Sequence, residues 1–372
     1  MAVWFNSWTF LITATTIVSG CLAERAAFEA YLAYTPLMAG AVFPLAVHWA
    51  FNGWLSDIPC SFIDFAGGST VHLLGGAAGL AAALLAGPRL GRFDEGRGRA
   101  GSRRGRASSA SPLRAGGGET TRGSWRLRAA ARARAPPLAG HNVESVALGT
   151  LMLWFGWYGF NLSPAFLRGE DRTAVAVRAA VNTSLSGSAS SLAALAIEWA
   201  RTGQLDLRTA CNGLLGGIVA ATALCAYVDP WAAAAVGAAA GAACVAASLA
   251  LAAAGVDDPL DSVPVHAVCS VVGLLGAAFF SKPALLRAYR GPAHAECGGV
   301  FYAGRAGWTQ LGVQALGVVA IGGLSFAAAA ALFGALRACG RLRVDTAAEL
   351  AGIDHVDHGG SAYPDFELKA RE

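Results

Sequence analysis

Charge is what this sequence has least of. Asp, Glu, Lys and Arg make up 14% of its 372 residues, against about 25% in an ordinary soluble domain. Hydrophobic residues make up 55% and the mean hydropathy is +0.48. That balance excludes a conventional water-soluble globule and points to a polytopic membrane protein. Patterned cysteine is also missing. The eight cysteines form no CxxC pair and no Cys/His cluster at zinc spacing, so a zinc module is not expected. Cys21, Cys211, Cys225, Cys244 and Cys269 lie inside apolar runs and read as packing residues. No nucleophile–base pair and no phosphate-cradling loop stands out, which argues against an enzyme. Met1-Ala2-Val3-Trp4 lacks the basic start of a cleavable signal peptide.

Basic residues are scarce too, outside one segment. Residues 94–140 hold 11 arginines and three acids, so the rest of the chain is net acidic although the whole carries +4. A nucleic-acid-binding protein is therefore not indicated. The segment is rich in Arg, Gly, Ser and Ala, and 94–142 reads as a disordered loop.

What is present is a series of long apolar runs, at about 2–22, 29–50, 63–87, 143–163, 174–200, 209–228, 231–254, 262–280 and 308–336. Each reaches or approaches the roughly 20 residues that span a bilayer as helix. The expected fold is thus all-α, with about nine transmembrane helices. Three lie in a first part (1–93) and six in a second (143–336), followed by a tail at 337–372. Gly and Ala crowd the runs, as in Gly75-Gly76-Ala77-Ala78-Gly79, which lets helix backbones approach closely. Arg-rich loops stay cytoplasmic. That rule puts the N-terminus outside and the tail inside, where Arg337, Arg341 and Arg343 agree. The same topology sets Cys60 and Cys297 on the outer face and leaves a disulfide between them open.

Two stretches mirror each other. Asp64 leads to His72 inside the run that ends near Ala86, and Asp257-Asp258 leads to His266 inside the run Val263 to Phe280. A helix starting near Asp64 would carry His72 about 12 Å inward at 1.5 Å per residue, near the middle of a hydrocarbon layer about 30 Å thick. With the two helices entering from opposite sides, the imidazoles would meet near mid-depth, a plan found in inverted-repeat transporters. A single buried histidine is more often a satisfied core residue. Two at mirrored depth favour function, because ionisable groups inside membranes are rare. Aromatic residues gather where a mouth or gate would lie: Phe10, His48-Trp49-Ala50-Phe51, and Leu153-Trp154-Phe155-Gly156-Trp157-Tyr158-Gly159-Phe160-Asn161. An interfacial aromatic belt gives the same composition; a cation–π cage for a small cation is the sharper alternative.

The chain resembles the Amt/MEP/Rh ammonium transporters, in particular the plant and algal type-1 group. The stretches that carry the resemblance run in family order. They are Ala23-Glu24-Arg25, Asp64 to Gly76, Gly87-Pro88-Arg89, Leu153 to Asn161, Val181-Asn182-Thr183, Cys211 to Gly217, Asp229-Pro230-Trp231, Asp257 to Leu260, and Ala351 to Gly360. The resemblance implies that His72 and His266 are the pore pair and that Phe10 and Phe160 are the stacked gate. It implies that Phe51, Asp64 and Trp157 serve substrate recruitment, with Asp64 organising the outer vestibule rather than binding directly. It further implies a homotrimer in the plasma membrane, accepting ammonium or methylammonium and using no cofactor or metal. An ammonium sensor, or an inactive shortened subunit modulating full-length partners, is the alternative.

Four departures from the family pattern stand out. Family members have eleven helices, so nine would leave the first two without counterparts. Phe51 stands where the outer-mouth tryptophan is expected, Pro164 where a recruiting serine is expected, and Val356 where the plant-type tail carries its regulatory threonine.

Overall fold

The computed structural model describes residues 1–93, 138, 140–167, 172–294 and 296–360. The Arg-rich segment expected to be disordered falls almost wholly outside the described residues, as does the tail beyond 360. Among the described residues the apolar runs are helical over most of their length and no strand forms. Six helices are long and apolar enough to cross a membrane: 28–57, Gly68–Ala86, Leu207–Leu224, Pro230–Ala253, Val263–Phe280 and Gly304–Ala338. Three more long helices are α1 (Ala2–Leu22), α6 (Val143–Phe166) and α7 (Thr173–Thr202), of 21, 24 and 30 residues.

Residues 1–87 and 142–344 form one compact unit. Its elements after α1 are α2 (Phe28–Leu37), a π-helical turn π1 (Met38–Val42) and α3 (Phe43–Phe51). The short α4 (Trp54–Asp57) and a non-helical stretch lead to π2 (Gly68–Leu73) and α5 (Leu74–Ala86). After α6 and α7 come α8 (Leu207–Leu224), α9 (Pro230–Ala253), π3 (Val263–Val268) and α10 (Cys269–Phe280). The short α11 (Pro283–Arg290) precedes the long α12 (Gly304–Ala338). In the second unit, residues 88–141 and 345–372, Glu349 of α13 (Thr346–Ala351) accepts a 2.8 Å bond from the Leu90 amide.

Small residues set the helix crossings. A Cβ placed on Gly75 would lie 2.8 Å from the Ala14 carbonyl of α1, and one on Gly213 would lie 2.7 Å from the Ala194 Cβ of α7. Only glycine lets these backbones come so near, which in lipid replaces the hydrophobic drive for association. The same contacts fix direction. Gly67 meets Phe10, Gly75 meets Ala14 and Ile17, and Gly79 meets Val18 and Cys21, so π2–α5 runs parallel to α1. Ser262 and Leu260 instead meet Gly20, while Ala267 meets Gly76, so π3–α10 runs the opposite way. The two histidine-bearing arms enter from opposite ends, as the order of the spans leads one to expect.

The entry of the first arm differs from expectation. The helix starts at Gly68, not Asp64, and the residues just before it are bends. Phe65 and Ala66 amides donate to the Ala223 and Thr222 carbonyls at the end of α8 (3.1 and 3.0 Å). Gln314 of α12 clamps Ile63 from the other side, accepting from its amide (2.7 Å) and donating to its carbonyl (2.8 Å). Backbone polar groups inside a bilayer must find protein partners, and the α8 carbonyls and the Gln314 side chain supply them here. The turn around π2 is treated alike: Ser270 of α10 donates to the Gly68 carbonyl (2.5 Å), and Ser325 of α12 to the carbonyl of Leu74, the first residue of α5 (2.6 Å).

The two ends of this unit are tied by different chemistry. At the Gly20 end of α1 the fully buried Arg25 donates to the carbonyls of Cys21, Ala23, Gly87 and Asp257. At the other end Cys60 and Cys297 are disulfide-bonded, with Cα atoms 5.2 Å apart.

Candidate functional site

Near the start of α1 lies a cavity of about 510 Å³, lined by Phe10, Phe51, Asp64, Thr70, Tyr227 and Arg290 among others. Its acid is not free. Asp64 is 2% exposed and caps the arm it precedes, Oδ1 accepting from Gly67 N (2.9 Å) and Gly68 N (2.7 Å) and Oδ2 from Ser69 N (2.8 Å) and Ser69 Oγ (2.6 Å). Gly67 holds φ +87, the left-handed conformation that lets its amide turn back onto Asp64. A carboxylate is the favoured cap there because it offsets the positive end of the helix dipole. The basic group in the wall, Arg290, donates to the Phe62 carbonyl (3.0 Å) and the Tyr227 hydroxyl (3.3 Å), with its guanidinium 5.4 Å from the Tyr227 ring.

The cavity stops at Phe10. Behind it a column of rings descends. Phe10 stacks on Phe160 (centroids 4.1 Å apart, 15° between planes). Phe160 lies 5.5 Å from His72 and 5.7 Å from Trp157. Trp157 stacks on His72 (5.0 Å, 13°), and the His72 and His266 rings lie with centroids 5.2 Å apart and 11° between their planes. The two imidazoles meet edge to edge through Nδ1 and Nδ1, 3.2 Å apart. One must donate and the other accept, so the pair is held with a single proton between them. The Nε2 of His72, which is fully buried, has no partner among the described residues.

Backbone explains the placement. Both histidines sit on π-helical turns, five residues into π2 and four into π3. A π turn widens the helix locally and is often found at functional sites; here one on each arm turns a ring toward the other. Trp157 is fixed by its indole N–H, which donates to the Thr222 hydroxyl at 3.1 Å.

The sequence-predicted residues therefore divide. His72, His266, Phe10 and Phe160 come together in one column, and Phe51 and Asp64 line the cavity above it. Trp157 does not line the cavity. Expected at the outer mouth, it is buried against His72 beyond the phenylalanine pair, because α6 turns it inward one helical turn before Phe160. Thr70 and Arg290 were not singled out by sequence reasoning, yet both line the cavity.

The model of the Ammonium Transporter Family matches residues 1–109 and 126–363. The chain is 33% identical over 367 residues to "Ammonium transporter 3" of Dictyostelium discoideum, covering 97% of this chain and 75% of that protein. It is 34% identical over 378 residues to "Ammonium transporter 1 member 1" of Arabidopsis thaliana, covering 97% and 68%. Among solved structures, one titled "Sensor Amt Protein" superposes with a TM-score of 0.74 at 28% identity, over 94% of this chain and 74% of that one. The chain spans about two thirds to three quarters of the length of these relatives. With helices apolar enough to span a bilayer, a matched family model and relatives named as transporters, this multi-pass membrane protein belongs to the Ammonium Transporter Family.

Proposed function

We propose that this chain takes ammonium from the cavity above Phe10 and passes it as neutral ammonia along His72 and His266. The observation that carries this reading is the unbroken ring column from Phe10 to His266, leading from an open cavity to a buried imidazole nitrogen without a partner. Phe51 and Phe10 present aromatic faces to a cation, worth about 0.5–2 kcal/mol each. Carrying an unpaired charge through the low-dielectric interior costs tens of kcal/mol. Aromatic contacts can collect ammonium but cannot offset that cost, so the charge must be shed before the histidines. Ammonia then keeps a hydrogen-bond partner on each ring, and methylammonium serves as an analogue. Phe160 gates the column with Phe10, Trp157 holds His72 flat, and Asp64 fixes the arm rather than binding substrate. The working assembly is a homotrimer in the plasma membrane, with the N-terminus outside and the tail cytoplasmic, in line with the basic residues near the tail.

The test is methylammonium uptake by His72→Ala in cells lacking their own transporters. Uptake falls by at least about tenfold, the effect of losing roughly 1.4 kcal/mol of stabilisation at the narrowest point, while membrane protein levels hold. Saturable, selective uptake equal to the parent chain's would refute the assignment.

A further inference from the structure

The cavity holds an acceptor that the ring column does not explain. Thr70 is fully buried, and its hydroxyl has no hydrogen-bond partner among the described residues. Other threonines in the helices behave differently. Thr13, Thr15, Thr150, Thr183 and Thr222 each donate to the carbonyl four residues earlier, at 2.7–2.9 Å. Thr70 has no helical turn behind it: the residue four back, Ala66, lies in the non-helical stretch before Gly68 and turns its amide to Thr222. A buried hydroxyl left unpaired is disfavoured unless something polar visits it.

Its location says what visits. Thr70 lines the cavity together with Phe10 and Phe51. A Cβ built on Gly67 would lie 3.2 Å from the Thr70 Oγ1 and 3.4 Å from Phe10 Cδ2, so hydroxyl and gate ring border the same spot. Asp64 is committed to the Gly67, Gly68 and Ser69 donors, and in that role it cancels the helix-end field that would repel a cation. Pro164, across the cavity, has no side-chain hydroxyl, and its carbonyl accepts from Tyr289 at 2.8 Å.

We infer that the Thr70 hydroxyl is a binding residue on the cavity floor, accepting an N–H from ammonium or methylammonium as the cation rests against Phe10. The inference rests on the ammonium reading above and names the acceptor that orients the cation. Phe10 supplies attraction without direction; Thr70 supplies a directed bond just above the gate.

The experiment compares the parent chain with Thr70→Val, Thr70→Ser and His72→Ala, using two readouts. One is methylammonium uptake by transporter-deficient cells; the other is calorimetric binding of methylammonium to the purified full chain in detergent. Thr70→Val, nearly equal in shape, is expected to raise the half-saturating concentration about tenfold in both readouts, a change that one directed bond to a cation suffices to produce. Its maximal uptake stays within about twofold of the parent, the pattern of a lost binding contact, and Thr70→Ser remains near the parent. Unchanged binding in Thr70→Val would mean that the hydroxyl only holds water, and overturns the inference. Equal weakening in Val and Ser variants would trace the effect to shape and overturn it as well, as would a parent chain that binds no methylammonium. Undiminished uptake in His72→Ala overturns the pore reading instead, and leaves the binding comparison at Thr70 to stand by itself.

Discussion

Gly76→Ala tests whether the two histidine arms are held at contact distance by the absence of a side chain. A Cβ at this position would sit 2.5 Å from the Ala267 amide nitrogen, 2.7 Å from the Ala267 Cβ and 2.9 Å from its Cα. Ordinary van der Waals contact begins near 3.4 Å, so the arms must separate by several tenths of an ångström to about 1 Å. None of the three clashing atoms is the end of a flexible side chain, and Ala267 directly follows His266. Overpacking of this kind costs about 1–3 kcal/mol, which corresponds to a melting point lower by about 2–10 °C. The same shift stretches the 3.2 Å contact between His72 and His266 past the limit of a hydrogen bond, about 3.5 Å. Gly323→Ala in α12 is the matched control, since nothing lies within 4 Å of its Cβ. Replacing a helical glycine there is expected to hold stability or raise it by up to about 1 kcal/mol. Thermal unfolding in detergent and methylammonium uptake are measured for both. Equal melting points and equal uptake in the two variants would refute the close-approach argument.

Two other outcomes are expected from groups around the site. Gln314→Leu leaves the Ile63 amide and carbonyl buried and unpaired, at about 1–3 kcal/mol per group. It should lower the melting point more than any change at the exposed Gln204, and an equal effect would discredit the clamp. Asp258, in the loop before π3, is pushed up from 3.8 to about 6 chiefly by burial, with Asp261 nearby adding to the rise. The folded chain thus binds a proton between about pH 4 and 6 that the unfolded chain releases, so stability from this group declines as pH rises through that window, by roughly 3 kcal/mol. Asp258→Asn keeps an acceptor for the Val263 amide, now bonded at 2.7 Å, and should flatten the melting profile over that range. A slope identical to the parent's would show that Asp258 does not set it.

Much of the fold was legible because lipid simplifies the problem. A run of about 20 apolar residues has few alternatives to a helix, so the described runs are helical over most of their length. The opposite direction of the two histidine arms was legible from the order of the spans between them, which alternate in direction across a bilayer. Breaks in helices were less legible. Nothing local in Asp64-Phe65-Ala66-Gly67 shows that the helix waits until Gly68, because the non-helical path depends on partners far away, on α8 and Gln314. The position of Trp157 against His72 rather than in the cavity wall was not legible, because aromatic clustering cannot tell which side of α6 faces inward. Thr70 went unremarked because a threonine in an apolar run is usually bonded to its own helix, and only the non-helical residues behind it remove that option.

The nose-to-nose meeting of the two Nδ1 atoms has a consequence for traffic of protons. Suppose the shared hydrogen jumps from one ring to its neighbour. Each imidazole is then left in the wrong charge state unless its far nitrogen gains or loses a hydrogen in the same event. A second crossing in the same sense requires both rings to turn over, because exchange at the outer nitrogens alone sends the shared hydrogen back the way it came. Stacking against Trp157 on one side resists rotation of His72, so the easier reset is the reverse hop, which leaves no net displacement. Held as they are, the two rings can hand one hydrogen back and forth but cannot relay a succession of them.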